Sequence, residues 1–126
     1  MSGVGIRQDG FVAVIAEAEL RSGEQRALTL SGVPLLLCRD HRGQLHAVTN
    51  VCPHALLPLT GGKLEGCALT CPKHGARFDL VSGRPLNEVA ATGLRLHEVA
   101  VREGSICVRL GSMTPARQQR RSSATN

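Results

Sequence analysis

Two short segments of the sequence each carry a cysteine and a histidine within a few residues of one another. The first reads Cys-Pro-His over residues 52–54, and the second reads Cys-Pro-Lys-His-Gly over residues 71–75. Thiolate and imidazole groups are common ligands of transition metals, and a proline directly after each cysteine stiffens both segments. The pattern predicts a metal centre with two sulfur and two nitrogen ligands, which are Cys52, His54, Cys71 and His74.

Two kinds of metal centre suit such a ligand set. Structural zinc sites commonly use C-x2-4-C and H-x3-5-H pairs, so that each loop supplies ligands of one type. In a mixed-ligand [2Fe–2S] cluster, two cysteines bind one iron and two histidines bind the other. Here each segment supplies one cysteine and one histidine, so each loop can reach both irons. This spacing favours the binuclear cluster, and a zinc-stapled structural or interaction module is the alternative from a different class.

The elements that flank these loops are predicted to be strands. Alternating or β-rich stretches cover residues 11–16, 26–30, 33–40, 45–50, 94–101 and 106–110. The turns DHRGQ and REGS predict two hairpins, and the stretch IAEAELRSGE predicts one helical turn. The apolar residues of the 94–101 stretch do not keep one phase, which predicts a bulge or burial on both faces.

The segment around the four ligands resembles the Rieske iron–sulfur family, whose signature is C-x-H followed by C-x-x-H. Leu59, Gly62 and the stretch GARFDLVSG also match, and DHRGQLHAVTNVCPH resembles the hairpin that leads into the first ligand loop. The resemblance covers residues 10–110. It implies an all-β fold of two lobes, in which a small cluster-binding lobe is inserted into an antiparallel β-sandwich or barrel base.

The resemblance also implies one domain over residues 1–111, with the cluster-binding lobe at about 49–85. The remaining segment, 112–126, holds three arginines and no acidic residue and is predicted to be a disordered basic tail. Without that tail the 15 basic residues fall to 12 against 10 acidic ones, so the folded part is only mildly basic. The chain has no Trp, no Tyr and two Phe, which argues against stacking on nucleic acid.

Differences within the family predict the kind of Rieske protein. Members from cytochrome bc-type complexes have an extra cysteine in each ligand loop, where this chain has Leu57 and Lys73. Those members also place Ser and Tyr hydroxyls near the cluster, where this chain has Ala76 and Phe78. Because donors to the cluster sulfurs stabilise the reduced state, we expect a midpoint potential near the bottom of the range of about −150 to +300 mV.

The resemblance therefore implies a small carrier of single electrons that is not itself an enzyme. It would pass electrons from a flavin-dependent ferredoxin reductase to the terminal oxygenase of an aromatic-ring dioxygenase system. A length of 126 residues leaves no room for the oxygenase's own catalytic domain, and we interpret His41, His46 and His97 as turn or strand residues. The alternative within the family is the small Rieske-like subunit associated with nitrite reductase.

The resemblance implies that the His-bound iron lies at the outer tip of the small lobe, so the edges of His54 and His74 would be the electron exit. A partner would dock on the surrounding rim, where Lys73 would steer an acidic partner and Arg77 and Arg84 would add to it. The backbone of Gly75 is the predicted donor to a cluster sulfur. The docking hypothesis names Pro53, Leu56, Leu57, Pro72, Lys73 and Gly75.

The remaining expectations concern the compartment and the assembly. The number of cysteines is odd, and Cys38, Cys67 and Cys107 lie in apolar stretches, which predicts packed, reduced thiols. No apolar run reaches the ~18 residues of a membrane span, and the start of the chain lacks the apolar part of a secretory signal. We expect a cytoplasmic monomer without membrane contact.

Overall fold

The computed structural model describes residues 9–54 and 56–111. The predicted disordered tail at 112–126 and the first eight residues of the predicted domain lie outside the described residues. The described part consists of antiparallel strands with one short 3-10 helix at Glu17–Glu19, where the sequence predicts a single helical turn. The strands are β1 (Val12–Ala16), β2 (Gln25–Leu30), β3 (Val33–Arg39), β4 (Leu45–Thr49), β5 (Lys63–Glu65), β6 (Ala68–Thr70), β7 (Arg77–Asp79), β8 (Leu96–Arg102) and β9 (Ser105–Arg109).

The strands form two antiparallel sheets. Six strands in the order β1-β9-β8-β4-β3-β2 make the base, and β5-β6-β7 make a small lobe between β4 and β8. The two edge strands of the base, β1 and β2, line one groove of about 340 Å³, so the sheet curls until its edges nearly meet. The predicted all-β architecture with a β base and a small inserted lobe is confirmed.

The hairpin from β3 to β4 leads into the first ligand loop, as predicted. Its turn is held by Asp40, whose carboxylate accepts the backbone N–H groups of Arg42 and Gln44 at 2.9 and 3.0 Å. The second carboxylate oxygen lies 2.8 Å from Nε2 of His46. Burial opposes ionisation of Asp40, but these contacts outweigh it and lower the pKa of the carboxyl. A fully satisfied Asp40 thus fixes the register that carries β4 toward the lobe.

Strand β3 is buried on both faces, which explains why its sequence is apolar at consecutive positions. Leu35 and Leu37 pack in the core of the base, whereas Leu36 and Cys38 point to a second core shared with the small lobe. Because successive strand residues face opposite sides, a strand buried on both faces cannot alternate in polarity. β3 therefore joins the two lobes.

The hairpin from β8 to β9 is confirmed, and its irregular pattern has a different cause from a bulge in β8. Leu96 and His97 pair with β4, and residues 98–102 pair with β9 without a shift of register. The register shift of the base lies in β1, between Ala13 and Ile15. Burial of β8 on both faces thus explains why the apolar residues of the 94–101 stretch do not alternate regularly.

None of the five cysteines, which all lie among the described residues, forms a disulfide, and four of them are buried. Burial raises the pKa of the Cys38 thiol to about 12, so it is a neutral packing group. The prediction of a packed thiol is wrong for Cys67, which is exposed. Cys67 lies in the turn between β5 and β6. The apolar residues that follow it, Ala68 and Leu69, are buried in the lobe, whereas the Cys67 side chain is at the surface. Across residues 9–54 and 56–111, no helix has the length and apolar character that crossing a membrane requires.

Candidate metal centre

The first ligand loop is closed by two backbone hydrogen bonds. The N–H of Cys52 donates to the carbonyl of Leu57 at 2.7 Å, and the N–H of Leu56 donates to the carbonyl of Cys52 at 2.6 Å. Leu56 closes this turn with φ of 58°, in the left-handed region that favours glycine. Cys52 is therefore held by the backbone of its own loop, with its side chain fully buried.

The second ligand loop repeats the same construction. The N–H of Cys71 donates to the carbonyl of Ala76 at 2.7 Å, and the N–H of Gly75 donates to the carbonyl of Cys71 at 3.2 Å. Gly75 has φ of 78° and thus occupies the position that corresponds to Leu56 in the first loop. Two similarly built turns present the two cysteines to the same interior.

Two asparagine side chains, which sequence reasoning missed, tie these loops to their surroundings. Asn50 accepts the N–H of Leu59 at 2.8 Å and donates to the hydroxyl of Thr60 at 2.7 Å. Asn87 donates to the carbonyl of Gly75 at 2.9 Å and accepts the N–H of Arg77. Asn50 directly precedes the first loop, so its position in the sequence could have indicated its role. Asn87 lies 12 residues beyond Gly75, and nothing in the sequence indicates that the two are in contact.

A glycine allows the first loop to close against the small sheet. A Cβ at Gly62 would lie 2.2 Å from the carbonyl oxygen of Thr70, on β6. Because Thr70 directly precedes Cys71, this close approach brings the end of the first loop against the start of the second. The contact explains physically why glycine follows the first loop at this position.

The structure arranges the four predicted ligands as two pairs. The thiols of Cys52 and Cys71 are hydrogen-bonded to each other within the core shared by the two lobes. The imidazole rings of His54 and His74 are exposed, with their centroids 5.1 Å apart and their planes at 74°. Sulfur ligands thus lie inside and nitrogen ligands outside.

Backbone amides of the second loop face the Cys71 sulfur. Burial works against ionisation of the thiol, but the N–H of Lys73, the Cys52 side chain and the N–H of His74 together lower the pKa of Cys71. The prediction that Gly75 would be the amide donor to sulfur is wrong, because its N–H is used by the Cys71 carbonyl. The glycine contributes its conformation, and its neighbours contribute the donors.

The donor arrangement fits a binuclear cluster. Each iron of such a cluster takes two protein ligands, so one thiol pair and one imidazole pair match it. A tetrahedral zinc site needs its donors grouped around a single point. The pairing therefore favours the [2Fe–2S] centre over the zinc staple.

The residues named in the docking hypothesis surround the two exposed histidines. Leu56 is the most open, with 77% of its surface exposed, and Leu57 follows with 36%. Pro72 and Lys73 are exposed, and Pro53 and Gly75 are half-buried. The two leucines therefore lie on the surface of the lobe and do not pack in its core.

The other three histidines lie away from the centre. His41 is exposed and its Nε2 lies 3.1 Å from the carbonyl of Leu64. His46 pairs with Asp40 in the hairpin. His97 is buried, its Nδ1 accepts the N–H of Gly111, and its Nε2 lies 2.7 Å from the hydroxyl of Thr49. Burial, followed by the charge of Arg95, lowers the pKa of His97, so this ring is a neutral structural residue.

Comparisons with known proteins agree with this geometry. The family model described as the Rieske [2Fe-2S] domain matches residues 10–98. Ferredoxin CarAc of Metapseudomonas resinovorans is 29% identical over 98 residues, which are 78% of this chain and 92% of the relative. The chain thus spans nearly the whole length of that ferredoxin.

Solved structures show the same fold. The ferredoxin of carbazole 1,9a-dioxygenase from Nocardioides aromaticivorans IC177 matches with a TM-score of 0.73 and 28% identity, over 79% of this chain and 96% of that chain. A chain in the complex of reduced oxygenase and oxidised ferredoxin of carbazole 1,9a-dioxygenase matches with a TM-score of 0.73 and 29% identity, over 79% of this chain and 93% of that chain. These similar structures include one in which a ferredoxin is bound to an oxygenase.

Proposed function

The chain belongs to the Rieske [2Fe–2S] family, and we propose that it carries single electrons from a flavin-dependent ferredoxin reductase to the terminal oxygenase of an aromatic-ring dioxygenase system. The observation that carries the proposal is that two short loops together supply a pair of buried thiols and a pair of exposed, adjacent imidazoles. The relatives that the chain matches over nearly their whole length are ferredoxins, which carry electrons and catalyse no reaction on the substrate.

In this proposal Cys52 and Cys71 would hold one iron of the cluster, and His54 and His74 would hold the other. The cluster, when bound, accepts and releases one electron. The protein holds the sulfur ligands away from water in the shared core and leaves the imidazole edges at the surface. An acceptor that touches these edges is then close to the cluster, which electron transfer over a short path requires.

We propose a midpoint potential near the bottom of the family's range of about −150 to +300 mV. Ala76 and Phe78 are fully buried in the core that contains both cysteines. Neither side chain has a hydroxyl that could donate a hydrogen bond to sulfur, so the reduced state lacks that stabilisation. A low potential suits delivery of electrons to an oxygenase.

The partners are assigned on the same basis. The similar carbazole dioxygenase structures include a complex between oxygenase and ferredoxin, which supports an oxygenase as the acceptor. The docking rim is the set of residues around the two histidines, namely Pro53, Leu56, Leu57, Pro72, Lys73 and Gly75. The five cysteines, none of which forms a disulfide, suit a reducing compartment, and we place the protein in the cytoplasm as a monomer.

Reconstitution tests this function. A mixture of NADH, a flavin-dependent ferredoxin reductase and the terminal oxygenase should form dihydroxylated product when this protein is added, and none without it. A variant with His54→Cys keeps a possible iron ligand but alters the outer pair, and it should transfer electrons poorly. Product formation that is independent of the protein, or equal with the variant, would refute the electron-carrier role.

A further inference from the structure

Leu56 has a backbone conformation that its own packing does not explain. Among the described residues, three that are not glycine have positive φ, and two of these, Ser31 and Glu103, occupy two-residue hairpin turns. Leu56 closes the first ligand loop at φ of 58°, a region where a Cβ is unfavourable. Its side chain is 77% exposed, so little burial offsets that cost.

The second loop shows what this position needs for folding alone. Gly75 makes the equivalent hydrogen bond with positive φ and no side chain. Glycine would therefore serve the fold at residue 56 as well, and a leucine there needs a reason outside the lobe. An exposed apolar side chain two residues from His54 is placed to contact whatever approaches the electron exit.

Further exposed apolar residues continue this surface on the other side of the exit. Leu86 is 51% exposed and Val89 is 36% exposed. Asn87, which directly follows Leu86, is hydrogen-bonded to Gly75, next to His74. The rings of His54 and His74 are in contact, so the two ligand loops present their exposed side chains next to each other.

Two cations flank this apolar surface. Lys73 lies inside the second ligand loop and is exposed. Arg77 pairs with Thr70 at the end of β7 nearest the loop, and because Phe78 points inward, Arg77 points outward. Neither Lys73 nor Arg77 forms an ion pair within the described part of the chain, whereas Lys63, on β5 of the same lobe, is paired with Glu65. The exposed acid Glu88 only partly offsets them.

We propose that this surface, centred on Leu56 and flanked by Lys73 and Arg77, docks an electron acceptor whose own face is apolar at its centre and acidic at its rim. The inference rests on the proposed electron-carrier function and adds the chemistry of the partner. Opposite charges speed the encounter, and the apolar centre excludes water around the histidine edges.

Two protein oxidants of opposite charge test the inference, namely an acidic plastocyanin and the basic cytochrome c. Each takes one electron from the dithionite-reduced protein, and stopped-flow absorbance gives the second-order rate constant at low and high salt. Lys73→Gln and Arg77→Gln remove the flanking charges. Arg42→Gln is the matched control, since it removes one exposed charge at the far end of β4, about 16 Å of strand away.

At ~10 mM ionic strength, Lys73→Gln and Arg77→Gln should each slow oxidation by plastocyanin about threefold and should not slow oxidation by cytochrome c. The effect should disappear near 0.5 M salt, and Arg42→Gln should change neither rate by as much. Equal effects of all three substitutions would show a response to net charge alone and would overturn the docking surface.

Leu56→Gly gives the sharper result, because the inference predicts opposite changes in two quantities. The variant should raise Tm by about 4 °C, since it relieves the left-handed conformation, and should slow oxidation by plastocyanin about threefold at both salt levels. Val101→Ala, which trims an exposed apolar residue on the base, should leave the rate unchanged. A Leu56→Gly variant that loses Tm, or keeps the wild-type rate, would show that Leu56 acts in the fold and not in docking.

These outcomes are distinct from failure of the proposed function. If the protein held no reducible cluster, neither oxidant would react with it. If the cluster transferred electrons but both oxidants responded alike to every substitution, the carrier role would stand and the acidic partner would not.

Discussion

Two side chains next to the centre set its expected potential. Phe78 and Ala76 lie in the core with Cys52 and Cys71, and they leave the cluster sulfurs without hydroxyl donors. Removing a hydrogen bond to a charged group costs about 1.5 kcal/mol, which is about 60 mV for one electron. An effect of this size for each missing hydroxyl is the reason that we expect a midpoint potential near the low end of the family's range.

The first prediction restores one donor. Phe78→Tyr should raise the midpoint potential by about 60 mV, because the new hydroxyl can stabilise the reduced cluster. Redox titration followed by EPR measures the shift. Phe11→Tyr makes the same chemical change in the base and should leave the potential unaltered. An unshifted Phe78→Tyr protein would mean that this side chain does not tune the cluster.

The second prediction concerns pH. Burial, followed by the charge of Arg95, holds the pKa of His97 below the ordinary value of 6.5, and its Nδ1 accepts the N–H of Gly111 in the fold. The unfolded chain therefore binds a proton at a pH where the folded protein does not, and stability is lost as pH falls from about 6.5 through the lower folded pKa. Between pH 7.5 and 5.5, Tm should fall by about 2–4 °C more in wild type than in His97→Gln. Parallel curves would contradict this role.

At the scale of single residues, the sequence was informative where chemistry has a fixed spacing. The four ligands are predicted from two short patterns, and the structure places the two cysteines in one core and the two histidines side by side at the surface. The roles of Leu56 and Gly75 could not be predicted, because both depend on a backbone turn that sequence spacing does not show. Asn87 was missed because it reaches a carbonyl 12 residues away.

The ligand loops are the elements on which the centre depends. Each is closed by its own backbone hydrogen bonds, and each is tied to its neighbours by an asparagine side chain. The segment that carries Asn87 crosses β7, where Phe78 pairs with Pro85. This segment is therefore a support for the second loop and not a separate surface loop.

The third prediction tests that support. Asn87→Ala removes the contacts to Gly75 and Arg77, each worth about 1 kcal/mol, so the second loop should open more often and lose iron to a chelator about fivefold faster. The decay of visible absorbance measures the rate. Glu88→Ala alters the next residue, which makes no such contact, and should decay at the wild-type rate. Equal decay in both variants would remove Asn87 from the supporting elements.

The strands themselves were predicted well, since the hairpin turns and β-rich stretches are local signals. The 33–40 stretch reads as an apolar run, and the structure shows that this comes from burial against two cores. The irregular phase of the 94–101 stretch has a similar origin, because β8 changes partners along its length. Which strands neighbour one another depends on contacts far apart in sequence, and local patterns do not encode them.

The molecule has two hydrophobic cores, and strand β3 contributes one face to each. The core of the base, with Leu35 and Leu37, stabilises the fold without touching the metal ligands. The second core contains both cysteines and joins the lobe to the base. The two cysteines are thereby buried, while the two histidines are exposed to a partner, which is the arrangement that the proposed electron carrier requires.

The most direct test of the central claim is EPR of the purified protein after reduction with dithionite, together with its visible spectrum. We predict a red-brown protein that bleaches on reduction by one electron and gives a signal with the low average g-value of a His-ligated [2Fe–2S] centre. A colourless protein with one bound zinc per chain would contradict the account, because the paired loops would then be a structural staple.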